Sequence, residues 1–352
     1  MSMKGLYDMI RDDKTTMAFT SRGDVSREMW FYDMIKNSDR SPEEKKRILA
    51  DMRYVGKKYG FTFREYMLFE FYRRTEEEQH EFISDKERLD LTLRMNPQSV
   101  RDLLDSKYDT YLRFKKYYKR DIERIEPGDR DKVKAFLAQY GALIAKANTD
   151  FGGYGNKVIR HGYPATPDEI ADELFARFPD GFIVEELQSN HHSLKEIYPK
   201  AFNTFRIPTL RNGDKVKIFR PVLRIGAGGA EIDSALSNGG ILTAVDLETG
   251  EITHARDEAC HSFVTHPDTG KPIIGFRLPR WDEALELIEQ MALELDDQHY
   301  GGWDIGLTED GWKMVEGNAC GMFIWQIPLC EGFRSEFEQM VHELCLESCL
   351  QS

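Results

Sequence analysis

Through residue 125 glycine is sparse and apolar positions recur with helical spacing, which predicts a run of helices. SPEEKKRILADMRYVGKKYG marks its own boundaries: Ser41 at the N-cap, Pro42 at N1, Glu44 at N3 and Gly60 at the end. TFREYMLFEFYRR is aromatic and apolar with basic edges, the texture of helix-packing core. TEEEQHEFISDKERLDLTLRMN is charged and amphipathic, one helix or two, and Pro97 marks a boundary after it. In SKYDTYLRFKKYYKRD (106–121) basic residues alternate with Tyr and Phe. That pattern suits an amphipathic helix with snorkelling basic stems, or a surface on which nucleic acid could stack.

From about residue 130 the texture changes. DRDKVKAFLAQYG predicts a helix ended by Gly141, ALIAKANTD a strand, FGGYGN a glycine loop and KVIRHGY a second strand. TPDEIADELFARFPDG follows as a helix with Thr166 as N-cap and Pro167 at N1, and FIVEEL as a buried strand. Beyond about 190, FNTFRIPTLRNG, DKVKIFRPVLRIG, ILTAVDLETGEI and WDIGLTEDGWKMVE alternate and turn at Asn-Gly, Thr-Gly and Asp-Gly. Two amphipathic helices, DEALELIEQMALELDD and FRSEFEQMVHELCLESCL, complete the pattern. The expected class is α+β. The expected units are a helical region over 1–105, a small lobe over 106–188 and a large lobe over 189–352.

Bulk composition narrows the function classes. With 48 Lys+Arg against 61 Asp+Glu the formal charge is −13, so the chain is a poor general partner for nucleic acid. No window approaches an apolar membrane span, and MSMKGLYDMIRDDK has no apolar core of the signal-peptide type. The five cysteines include no CxxC, which suits reduced thiols in a cytoplasmic protein.

Four groups of residues could carry chemistry. Lys146 precedes Gly152, Gly153 and Gly155, an amide-rich loop beside a point charge, which outlines a phosphate site or an ordinary hairpin. The strand 182–184 runs into Glu185 and Glu186, a strand end that could read a purine and ribose, or simply meet solvent. Asp304 lies in one arm of a hairpin, with Glu316 and Asn318 two apart in the other. This oxygen-only set suits Mg²⁺, and apolar neighbours at Trp303, Ile305, Met314 and Val315 argue for burial rather than a solvated face. Arg206, Arg220 and Arg224 in the strand-rich part form a possible anion clamp.

Taken in order, these pieces resemble the ATP-grasp superfamily from about residue 106 to about 330, and DIGLTEDGWKMVEGN is the most specific element. The N-terminal helices and the 202–246 stretch resemble its sugar-transfer-associated branch, which is tied to bacterial polysaccharide biosynthesis. The resemblance implies ATP held between two α+β lobes. Lys107 and Lys146 would contact phosphates under the glycine flap, and backbone around Glu185, Glu186 and Leu187 would read adenine. Gln188 or His191 would meet the ribose. Asp304, Glu316 and Asn318 would hold one or two Mg²⁺, with Mn²⁺ as a substitute. Related ligases often carry an arginine two residues before the aspartate; here that position is Gly302, so Arg206 or Arg224 would take its place.

The reaction so implied joins a small-molecule carboxylate to an amine through an acyl phosphate, releasing ADP. Two alternatives stand beside it: a kinase acting on a sugar or polyol hydroxyl, and a non-catalytic nucleotide-binding partner protein.

Overall fold

The computed structural model describes residues 32–149, 155–232, 240–321 and 324–350; Gly152 and Gly153 lie outside them. The helical run appears as α1 (Pro42–Tyr59), α2 (Phe63–Leu68), α3 (Glu76–His80), α4 (Asp85–Met95), α5 (Gln98–Asp105) and α6 (Lys107–Tyr118). α1 is bounded as predicted. The Ser41 hydroxyl accepts from the Glu44 amide, and Gly60, at φ +78°, closes the helix in the left-handed region. The charged segment after it is two helices because Ser84 caps a new one at α4.

Helix does not continue to residue 125. Ile122–Ile125 is a strand, β1, with both isoleucines buried. It pairs antiparallel with β4 (Phe182–Glu186). With β2 (Leu143–Lys146) and β3 (Lys157–Ile159) these form a four-stranded sheet in the order β1-β4-β2-β3. Leu143, Ala145, Phe182 and Val184 point to the core beneath α7 (Arg130–Tyr140) and α8 (Pro167–Arg177). The alternate positions, including Lys146, Ile183 and Glu185, take the opposite face.

After α9 (His192–Ile197), the second sheet has seven strands: β5 (Thr204–Asn212), β6 (Lys215–Ile218), β7 (Val222–Ile225), β8 (Ile241–Val245), β9 (Ile252–Arg256), β10 (Tyr300–Thr308) and β11 (Gly311–Asn318). Its order is β11-β10-β5-β7-β8-β9, with β6 on β5. DKVKIFRPVLRIG reads as one strand in sequence but is split into β6 and β7. Pro221 has no amide to give a ladder, and Arg220 before it sits at φ +42°.

This sheet is covered on both faces. On one, Phe205, Ile207, Trp303, Ile305 and Met314 pack with α6 and α10 (Trp281–Ala292). On the other, Leu210, Val222, Leu242 and Tyr300 meet the N-terminal helices, α11 (Gln326–Leu329) and α12 (Arg334–Glu343). α12 is shorter than its sequence pattern, since Cys345 turns left-handed just beyond it. Asn96, which is 1% exposed, ties the N-terminal helices to this sheet. Its Nδ2 donates to the Tyr300 and Ala319 carbonyls, and its Oδ1 accepts from the His299 and Tyr300 amides.

Candidate active site

The hairpin β10–β11 sets the site. Asp304 lies directly opposite Glu316, and Gly302 opposite Asn318. Strict alternation would put Glu316 on the same face as Met314, in the apolar core with Trp303. A bulge prevents this: Asp304 pairs with Glu316 but Ile305 pairs with Met314, leaving Val315 as the extra residue. Glu316 therefore shares Asp304's face while Met314 stays in the core.

Asp304 is 2% exposed. Arg206, its partner across β5, donates from Nε to Oδ1 and from Nη2 to Oδ2 at 3.0 Å. Arg224, from β7, donates to Oδ2 at 3.0 Å and also holds the Thr204 hydroxyl. Burial opposes ionisation of Asp304, but the two guanidiniums outweigh it and hold its carboxyl below the usual range. The Arg206 Nη1 is buried and has no hydrogen-bond partner among the described residues, a spare donor beside the carboxylate.

Lys107 stands at the start of α6, with its amide donating to the Asn148 carbonyl at 2.9 Å. The Asn148 side chain in turn accepts from the Tyr108 amide and donates to Ser106, the N-cap. The segment leading into the glycine loop is thus fastened to the helix that carries Lys107. The Lys107 ammonium reaches the Glu316 carboxylate at 3.3 Å. Asn318 donates its amide hydrogen to the Gly302 carbonyl at 3.3 Å.

Gly302 cannot carry a side chain: a Cβ there would sit 2.3 Å from the Cys320 carbonyl oxygen and 2.9 Å from Gly321 Cα. An arginine at that position is sterically excluded by the chain leaving β11. The arginines on β5 and β7 are the ones brought to Asp304. Arg220 is not among them; it pairs with Glu336 and lies over the Phe333 ring.

A second buried charge centre sits on the four-stranded sheet. Glu185 is 3% exposed and binds Lys146 at 2.8 Å through Oε1 and Arg120 at 2.7 Å through Oε2. Burial again opposes the charge, yet Lys146 and Arg120 bring the carboxyl down to about 2. Arg120 also donates to the Met314 and Val315 carbonyls of β11, so it bridges the two sheets next to Glu316. Glu186 lies at the strand end, where its amide donates to the Asp121 carbonyl. Leu187 follows it half-buried. The Gln188 oxygen accepts from Lys313 at 3.1 Å, and the His191 ring faces Ser193 and Glu309. Gly155 closes the glycine loop at φ +80°.

A family model for sugar-transfer associated ATP-grasp proteins matches residues 88–342, which takes in every residue of both centres. The chain belongs to that family. It has the ATP-grasp fold, α+β with a helical N-terminal region. The ATP-grasp match opens inside α4, so the helix carrying Asn96's anchor belongs to the matched part. Among solved structures, D-alanyl-alanine synthetase A from Vibrio cholerae is 15% identical with TM-score 0.43, covering 71% of this chain and 66% of that one. N5-carboxyaminoimidazole synthase from Aspergillus clavatus, solved with ADP, is 12% identical with TM-score 0.40, covering 64% and 47%. The ATP-grasp ligase PsnB, solved with minimal precursor, Mg and ADP, is 14% identical with TM-score 0.42, covering 71% and 62%. The chain thus spans about half to two thirds of the length of these structures. No curated protein matches it. Among the described residues no helix is long and apolar enough to cross a membrane.

Arg120, Asn96 and Asn148 were not singled out by sequence reasoning. Arg120 lies within the basic and aromatic 106–121 stretch, where five other basic residues look alike. Its burial against a strand 65 residues away has no local signature.

Proposed function

We propose that this chain is an ATP- and Mg²⁺-dependent ligase that joins a carboxylate to an amine, with release of ADP and phosphate. The observation that carries this reading is the gathering of carboxylates and cations on the Asp304 face. Two carboxylates, Asp304 and Glu316, meet three cations, Lys107, Arg206 and Arg224, and Arg206 keeps an unused buried donor. Cations gathered beside a hard oxygen set suit an anionic ligand that brings a divalent ion, and a triphosphate meets that description.

In this reading Lys107 and Lys146 contact the phosphates, the loop around Gly152, Gly153 and Gly155 covers them, and backbone at Glu185–Leu187 holds the adenine. The donor set of Asp304, Glu316 and Asn318 fits a hard divalent ion: two carboxylates on one face, with an amide whose nitrogen is already spent on Gly302. When bound, Mg²⁺ offsets charge on the phosphoryl oxygens. Because three cations already face the set, the ion is expected to arrive with the nucleotide rather than ahead of it.

The acid's carboxylate oxygen attacks the γ-phosphorus, the bond from that phosphorus to the ADP oxygen breaks, and ADP leaves. The amine nitrogen then attacks the acyl carbon, phosphate departs with the C–O electron pair, and the nitrogen's proton passes to solvent. Arg206, with its spare Nη1, and Arg224 stabilise the acyl phosphate's oxygens, with positioning supplying most of the rest. Biosynthesis of a bacterial polysaccharide or another small molecule is the setting the family points to, in the cytoplasm where ATP is supplied.

The test is a screen of acid and amine pairs read by ADP release, with Glu316→Ala as blank. ADP formation that needs both an acid and an amine supports the ligase. AMP as product sinks it, and a stable phosphorylated hydroxyl with no amine requirement replaces it with a kinase.

A further inference from the structure

The far end of the same hairpin carries a cluster that the ligase reading does not use. His191, His192 and Glu309 bring one ligand atom each to within 4.8 Å of one another. Glu309 lies on the turn between β10 and β11, and the two histidines follow the strand end of β4 by a few residues. We propose that these three side chains form a binding site for a borderline divalent ion of the Zn²⁺, Co²⁺ or Ni²⁺ class.

Glu309 and His191 are each fixed by further hydrogen bonds. Glu309 is pinned through one oxygen, Oε1, which accepts from the His192 amide at 2.7 Å. That leaves Oε2 turned to both rings, 3.2 Å from His192 Nδ1 and 3.7 Å from His191 Nε2. The rings lie 4.0 Å apart, so an ion placed between the nitrogens and Oε2 needs only small side-chain shifts. The His191 backbone is fixed by its amide, which donates to the Leu307 carbonyl at 2.8 Å. Ser193 Oγ stands 2.8 Å from His191 Nδ1 and the Ser193 amide 3.3 Å from it. The Ser193 amide donates to Nδ1, so that nitrogen accepts and the ring is turned with Nε2 toward Glu309; an ion binding at Nε2 displaces the proton that nitrogen carries.

The chemistry of the set selects the ion. Two imidazole nitrogens and one carboxylate oxygen suit Zn²⁺ and its neighbours rather than Mg²⁺ or Ca²⁺, and three protein ligands leave a tetrahedral position for water. The side chains of His192 and Glu309 are 70% and 54% exposed, so an ion reaches them without a conformational change. Bound there, it would join segments 117 residues apart and clasp the β4 exit to the hairpin whose other end holds Asp304 and Glu316.

The test uses the full chain without an affinity tag, stripped with chelator, and free of nucleotide and Mg²⁺. Calorimetry and Co²⁺ visible absorption should report one equivalent of ion, and Zn²⁺ should raise the thermal midpoint. His192→Ala and Glu309→Gln should each weaken binding about tenfold or more and remove the Zn²⁺-dependent shift. Ser193→Ala should weaken it by about tenfold at most, through orientation of His191. Glu316→Ala, at the other end of the hairpin, should leave Co²⁺ binding unchanged. Equal binding in wild type and Glu309→Gln with equal metal-free midpoints, loss of binding in Glu316→Ala, or no bound ion at all would each overturn the proposal. No ATP is present, so a failure here leaves the ligase reading untouched.

Discussion

The two sheets each bury one carboxylate between two cations, yet the two centres are built differently. Asp304 takes Arg206 and Arg224 from strands of its own sheet. Glu185 takes Lys146 from a neighbouring strand, but its second cation, Arg120, lies just beyond α6 and also holds two carbonyls of the other sheet. One centre is internal to a sheet; the other is a joint between sheets. Damage at the joint should loosen how the lobes meet the ligand, and damage at the internal centre should strike the transferred group.

The largest expected effect is at the joint. Arg120→Met leaves Glu185 with one cation and the Met314 and Val315 carbonyls without their donor. Breaking a buried pair in this way costs about 3–5 kcal/mol, so chemical denaturation should show a loss of that order. A loss under about 1 kcal/mol would mean that the sheets do not depend on this bridge. In the variant that remains folded, KM for ATP should rise more than kcat falls.

Arg206→Met tests the internal centre. It removes the bidentate partner of Asp304 together with the unused Nη1. If that donor stabilises the acyl phosphate, kcat should fall by about 10²–10³-fold with little change in KM for ATP. A rise in KM alone would move Arg206 from the chemistry to ground-state binding, and the contrast between the two centres would collapse.

A pH series separates the centres from the opposite direction. The Glu185 carboxyl is brought from 4.5 to about 2, so the charge contributes about 3 kcal/mol that is fully present above pH 4.5. It is lost as pH falls toward 2, because protonation then costs the folded state what it does not cost the unfolded one. The stability gap between wild type and Glu185→Gln should therefore narrow steadily below about pH 4.5. A gap that stays constant down to pH 2.5 would show that Glu185 is not held ionised by Lys146 and Arg120.

Much of the internal centre was readable in the chain. The Asp-Gly turn, the alternation in WDIGL and the two-residue spacing of Glu316 and Asn318 are local features that predict a hairpin, but its register shifts by one residue between Ile305 and Asp304. The bulge at Val315 was not readable, because nothing in KMVEGN shows one strand gaining a residue; it appears only when Met314 must stay with Trp303 in the core. β1 was hidden for a related reason. Four residues directly after a helix give too little pattern, and their strand character comes from pairing with β4, some 60 residues away. The joint was least legible of all, since every hydrogen-bond partner of Arg120 among the described residues is distant in sequence.

The smallest expected effect concerns the third arginine. Arg206, Arg220 and Arg224 look equivalent in sequence, but only two share Asp304's face. On β7, Val222 lies beside Arg206, and Arg224, two residues on, points to the same side. Arg220 stands outside the strand, ahead of Pro221, in a left-handed turn that sends its side chain to Glu336 and Phe333 instead. An exposed ion pair and a ring contact together are worth about 1 kcal/mol or less. Arg220→Ala should cost no more than that in denaturation and leave ATP turnover at the wild-type level, since its guanidinium touches neither carboxylate. A drop in kcat approaching that of Arg206→Met would place Arg220 in the site after all. The distinction between arginines that share a strand face and one that merely shares a sequence neighbourhood would then fail.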